Sequence, residues 1–156
     1  MSLPPFQTFL DRHAGELLRF LLAVVGPEEA EDCFQETCLA ALRAYPRLPA
    51  GSDVRAWAFT IARRKAIDAG RARGRRPVPV AEDGRRAPLG ETPDAIDDAG
   101  AWAPLAALPP KQRAAVFLRV AIELPHREVA RILECSEEAA RRSAHDGLKR
   151  LREEMT

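Results

Sequence analysis

Between Ile61 and Arg76 the stretch "IARRKAIDAGRARGRR" holds seven Lys or Arg against one Asp. Side chains of this kind, on this spacing, suit one chemistry above others: they neutralise the phosphates of a nucleic acid and release its counterions. Gly70 and Gly74 loosen the far end of the run, so its charges can follow a phosphate backbone. Covalent chemistry has no comparable set. There are no paired carboxylates at a useful spacing, no Ser/His/Asp or Cys/His arrangement and no Gly-rich phosphate loop, and His13, His126 and His145 are too scattered to form a site. Of the three cysteines, Cys33 and Cys38 lie five apart on one expected helix and point in different directions. They read as reduced packing residues, and no CxxC or Cys/His spacing offers a metal site. An enzyme is therefore the least supported class, and no cofactor is expected.

The whole chain hides this basic character, because its 156 residues sum to a formal net charge of only +1. Charges are unevenly placed: residues 1–76 carry +3, 77–103 carry −4 and 104–156 carry +2. The middle segment, "PVPVAEDGRRAPLGETPDAIDDAG", is rich in Pro, Gly and acids and lacks apolar periodicity, which marks a linker between two basic lobes. No run of 18 apolar residues occurs, and "MSLPPFQTFLDRHAG" has no basic flank before an apolar core. No membrane insertion is expected, and the cytoplasm is the default location.

Helices must position the basic run. Phe6, Phe9, Leu10, Leu17, Leu18, Leu21, Leu22 and Val25 follow helical spacing until Gly26-Pro27 stops the pattern. A second helix is predicted from about Glu28 to Tyr45, with Ala30, Phe34, Cys38, Ala41 and Leu42 on its apolar side. After the turn "PRLPAGSD", Ser52 or Asp53 can cap a third helix whose face of Val54, Trp57, Ala58 and Ile61 runs into the basic stretch. Arg63 and Arg64 lie off that face. In the second lobe Pro110 suits a first helical turn, and Val116, Phe117 and Val120 can face a core. "LPHREVARIL" and "SEEAARRSAHDGLKRLREE" then form a short helix and a longer basic one around Glu134-Cys135, with Ser136 placed to cap the second. That is the helix-turn-helix pattern, whose second helix enters a major groove.

"AEDCFQETCLAALRAY", "VRAWAFTIARRKAIDAGRARGRR" and, past the linker, "LPPKQRAAVFLR" with "LPHREVARILECSEEAARRSAHDGLKRL" together resemble the extracytoplasmic-function group of bacterial RNA polymerase sigma factors. The resemblance covers about residues 6–76 and 105–154. It implies an all-α chain of two helical domains joined by a flexible linker: a bundle over 1–76 that grips the polymerase clamp and melts the minus-ten element, and a helix-turn-helix over 104–156 that reads the minus-thirty-five element. It also implies no catalytic activity and three partners: core RNA polymerase, promoter DNA and an anti-sigma factor. The motif "DCFQE" places Asp32, Gln35 and Glu36, which share one helical face, on the clamp. "RAWAFTIARR" places Arg55, Arg63, Arg64 and Lys65 near the melted region, while Arg71, Arg73, Arg75 and Arg76 beyond it are open to two readings, phosphate contact or a solvated tail. The turn from Pro46 to Asp53 corresponds to the loop that captures an extruded base. Trp57 is open to two readings, base stacking or core packing, and its place on the Val54/Ile61 face favours the second.

Departures from the family pattern gather in the second lobe. Glu134 stands at the tight turn where Gly is usual, and a left-handed backbone there costs about 1 kcal/mol. Pro125 replaces a capping Ser. Ala139, Ala140, Ser143, Ala144 and Asp146 replace commoner Thr, Val, Arg, Leu and Arg on the recognition helix, leaving Arg141, Arg142 and His145 as candidate DNA contacts, with His145 equally readable as an exposed surface residue. Two functions follow: an active alternative sigma factor, or a sigma-like interaction protein that binds an anti-sigma factor without productive promoter reading.

Overall fold

The computed structural model describes residues 3–75 and 103–154, and among them every regular element is helical. The first lobe consists of α1 (Phe6–Val25), α2 (Pro27–Ala44) and α3 (Val54–Arg75). The second consists of α4 (Pro110–Val116), α5 (His126–Leu133) and α6 (Glu137–Glu154). Gly26 ends α1 at φ 83°, a left-handed conformation that glycine adopts without strain, and Pro27 opens α2 where no helical N–H is needed. Asp53, not Ser52, caps α3: its Oδ1 accepts the Ala56 N–H at 3.0 Å. Ser136 caps α6 through the Ala139 N–H, also at 3.0 Å. Most of the expected linker, residues 77–102, lies outside the described residues.

Three helices face differently from the sequence reading: α2, the end of α4, and α3, where Ala56, Phe59 and Ala62 are buried in place of Val54, Trp57 and Ile61. On α2 the core side is a stripe of small residues, Ala30, Cys33, Thr37 and Ala41. Cys38 and Phe34 are half-buried, and Leu42 and Leu39 are each 52 % exposed. The larger apolar side chains had suggested a face turned toward Phe34, Cys38 and Leu42; Ala30 and Ala41 belong to both faces, and a close approach to α1 and α3 brings the small Cys33 and Thr37 inside. In the second lobe α4 continues into a π-helical turn, Phe117–Ala121, closed by the Ile122 N–H on the Phe117 carbonyl at 3.3 Å. The extra residue per turn rotates Val120 outward, to 45 % exposed, and brings Leu118 into the core instead.

On α3 the buried positions are Ala56, Ala58, Phe59 and Ala62. Phe59 meets Phe20 edge-on with ring centroids 5.5 Å apart, and Phe20 in turn touches Phe117 of the second lobe at 6.1 Å. A single apolar cluster therefore runs through both lobes. Trp57 sits 6.2 Å from the rings of both Phe9 and Tyr45, so it packs in an aromatic group at the end of the first lobe. Gly147 lets α6 approach α4 closely, since a Cβ there would stand 2.6 Å from Val116 Cγ2.

Candidate nucleic-acid interface and docking face

Three arginines of α3, Arg55, Arg63 and Arg64, are engaged by other elements of the fold. Arg55 gives Nε and Nη2 to the two carboxylate oxygens of Glu16 on α1, at 3.0 and 2.7 Å. Its Nη2 also reaches the Ile122 carbonyl at 3.4 Å. This fork geometry holds the guanidinium in place. Two turns on, Arg63 donates from Nη1 to the Leu133 carbonyl at 3.3 Å. Burial pulls the Arg63 pKa down from its ordinary value, while Glu134 and Cys135 work the other way. Arg64 donates to the Glu134 carboxylate, and that bond holds the Glu134 pKa below the usual carboxylate range. Lys65 is half-buried, and its backbone carbonyl lies 3.9 Å from Cys33 Sγ. Arg71 is exposed, and Arg73 lies on the same helix with its side chain outside the described set.

Arg63 and Arg64 meet the turn between α5 and α6. There Glu134 has φ 55° and ψ 47°, and the Cys135 N–H bonds the Ala130 carbonyl at 3.0 Å. The left-handed geometry that glycine would serve is thus kept with a glutamate in it. Arg113 ties the lobes at the other end, donating from Nη1 to the Val24 carbonyl at 2.7 Å and from Nε to Leu105 at 3.0 Å.

On α6 the buried side is Ala140, Ala144 and Gly147, which leaves Arg141, Arg142 and His145 exposed together. Both arginines lean on acids one turn back: Arg141 is 3.3 Å from Glu137, and Arg142 is 3.5 Å from Glu138. Such exposed pairs are weak. Asp146 is exposed beside them. His126, at the start of α5, has its pKa lowered by desolvation and by the nearby Arg119 and Arg141.

Asp32, Gln35 and Glu36 are exposed on the outer side of α2. Leu39 continues their face one turn on, and Phe34, Gln35, Cys38 and Leu39 line a shallow groove beside it. Burial pushes the Cys38 thiol up, so it stays protonated. The sequence reading missed this apolar element because it had assigned Phe34, Cys38 and Leu42 to the core. The legible signal was that α2 carries two apolar stripes, one of small and one of large residues.

The chain matches two family models in order: Sigma-70 region 2 over residues 9–76 and Sigma-70, region 4 over residues 104–151. It is 37% identical over 137 aligned residues to the ECF RNA polymerase sigma factor ShbA of Streptomyces griseus, covering 78% of this chain and 69% of that protein. It is 33% identical over 151 residues to the ECF RNA polymerase sigma factor SigD of Mycobacterium tuberculosis, covering 89% of this chain and 71% of that one. The fold is similar to that of the sigma factor RpoE in its complex with the anti-sigma factor NepR from Bartonella quintana, with a TM-score of 0.76, 24% identity and coverage of 95% of this chain and 94% of that one. It is also similar to CnrH in complex with the cytosolic domain of CnrY, with a TM-score of 0.72, 20% identity and coverage of 96% and 86%.

Proposed function

Since the chain belongs to the extracytoplasmic-function group of RNA polymerase sigma factors, we propose that its two lobes divide promoter work unequally. It is an alternative sigma factor, which binds core RNA polymerase and directs promoter-specific initiation of transcription. The domain division we infer is 1–76 for polymerase binding and minus-ten melting, 77–103 for the linker, and 104–156 for the upstream element. In this reading Asp32, Gln35 and Glu36 make charged and polar contacts with the clamp, and Leu39 and Leu42 fill an apolar site next to them. Arg63, Arg64, Lys65, Arg71 and Arg73 run along promoter phosphates near the melted strand. Arg55, held by Glu16, sets the angle of α3 rather than touching DNA. Arg141, Arg142 and His145 meet the upstream duplex.

The observation that carries the division is the contrast between the two basic surfaces. α3 offers a row of cations with Asp68 as the only acid from Ile61 onward, whereas the exposed face of α6 interleaves Arg141 and Arg142 with Glu137, Glu138 and Asp146. The chain acts without catalytic activity of its own, in the cytoplasm. It is held by an anti-sigma factor, a reading supported by the overall likeness to RpoE and CnrH as they stand in their complexes. Promoter binding by reconstituted holoenzyme tests the division. Arg63→Ala and Arg64→Ala should each lower the salt slope by about 1 with little change in sequence preference. A slope unchanged by both substitutions would remove α3 from the DNA interface.

A further inference from the structure

The turn from Pro46 to Asp53 is held together from within. It opens with the short 3₁₀ turn Tyr45–Arg47, where the Leu48 N–H meets the Tyr45 carbonyl at 3.1 Å. The Pro49 carbonyl accepts both the Ser52 N–H at 3.2 Å and the Ser52 hydroxyl at 2.6 Å, around Gly51 at φ 84°. Asp53 then caps α3 through the Ala56 N–H. Among the described residues, the hydrogen bonds of this loop all run within residues 45–57, and most of the loop is exposed. Its shape is therefore local, but its place on the molecule is set by its two flanks.

Those flanks meet in one aromatic group. Tyr45, just before the loop, lies 6.2 Å from Trp57, just after it, between ring centroids. Phe6 meets Tyr45 edge-on at 5.3 Å and Phe9 lies 6.0 Å from it, so the first turns of α1 form the floor. The Tyr45 hydroxyl donates to the Pro4 carbonyl, one residue ahead of the α1 ladder, which begins with the Phe9 N–H on the Pro5 carbonyl at 3.1 Å. A half-buried tyrosine hydroxyl needs such a partner, and the bond fixes the ring in direction as well as in depth. We propose that Tyr45 is a positioning residue, holding the loop Pro46–Asp53 at one angle on α1, and that selectivity for a minus-ten base depends on it. The inference rests on the reading of this turn as the loop that captures an extruded base.

A flipped base is held by contacts that replace its stack and its pair, so the groups that meet it must keep their places within about 0.5 Å. A loop reaches that precision only when something rigid carries it. Here the carrier is α1, whose Phe9 is buried in the core and also touches Trp57 at 6.2 Å. Both ends of the loop thus share one support. The hydroxyl separates this role from plain packing: phenylalanine in place of Tyr45 keeps the ring among Phe6, Phe9 and Trp57 and removes only the tie to Pro4.

The test uses holoenzyme reconstituted with the full chain and a fluorescein-labelled forked duplex in which each base of the minus-ten element is changed in turn. Wild type is set beside Tyr45→Phe, Tyr45→Leu and Gly51→Val, the last of which puts a β-branched side chain at a positive φ and opens the loop itself. Loss of one hydrogen bond in Tyr45→Phe should reduce the preference for the captured base about three- to ten-fold, and Tyr45→Leu should reduce it further. Discrimination at the other positions, affinity for core polymerase and the salt slope should stay at wild-type values, which a merely destabilised domain would not allow. Tyr45→Phe alone decides if the leucine variant does not fold. Wild-type preference in every folded tyrosine variant, or an equal loss of affinity for every base, with preference lost in Gly51→Val, would overturn the positioning role and leave the loop reading intact. Wild-type preference in Gly51→Val would overturn both.

Discussion

The apolar element on α2 gives the sharpest quantitative expectation. Leu39 and Leu42 are each 52 % exposed in the free chain, so about half of each side chain is still available for burial against a partner. Complete burial of a leucine contributes about 1.5–3 kcal/mol, which leaves about 1 kcal/mol or slightly more per residue for the interface. The double variant Leu39→Ala/Leu42→Ala should therefore weaken binding to core polymerase by about 2–3 kcal/mol, or roughly 30- to 150-fold in Kd. Alanine is the best helix former, so α2 itself should not suffer. The substituted side chains make no part of the buried stripe Ala30, Cys33, Thr37 and Ala41. Titration of labelled chain with core polymerase reads the affinity, and thermal unfolding followed by circular dichroism reads the fold. Binding within about three-fold of wild type by a normally folded double variant would refute the assignment of this face.

Two other expectations concern the second lobe. Gly147→Ala would place a Cβ 2.6 Å from Cγ2 of the buried Val116, a β-branched side chain with little freedom to turn away. Overpacking of about 1–3 kcal/mol, less a helix-propensity gain of about 1 kcal/mol, leaves a net cost of up to about 2 kcal/mol and should lower Tm by up to about 8 °C in a differential scan. For His126 the folded pKa lies below its ordinary value, so the unfolded chain takes up the proton first as pH falls. Its stabilising contribution is present above about pH 6.5 and declines below it. Urea unfolding at about pH 7.5 and about pH 5.5 should show a smaller loss of stability in His126→Gln than in wild type.

How much of this was legible depended on where the determinants lie. The ends of α1 and α2 were written in Gly26-Pro27, and the caps of α3 and α6 in Asp53 and Ser136, because capping is local chemistry between a side chain and the next turn. The rotation of α2 was not, since burial there follows the room between helices and favours Cys33 and Thr37 over Leu42. Val120 misled for a different reason: periodicity assumes 3.6 residues per turn, and a π-helical turn breaks it. The candidate DNA residues were found as a basic run, but their present partners were not. Arg55 and Arg63 bond the carbonyls of Ile122 and Leu133, and a backbone acceptor distant in the chain leaves no mark on residue type. Glu134 was the exception, visible as a residue at odds with its turn before its partner Arg64 was seen.

Run-off transcription from a broad promoter library tests the central claim most directly, using core polymerase reconstituted with wild type, Arg63→Ala/Arg64→Ala or Arg141→Ala/Arg142→Ala. Wild type is expected to start transcription at a defined subset of promoters. The α3 variant should lose most of that output across the subset, and the α6 variant should lose less, chiefly at promoters with a strong upstream element. A wild-type chain that binds polymerase and an anti-sigma partner, yet starts transcription from no promoter in the library, would contradict the claim and leave a sigma-like interaction protein in its place.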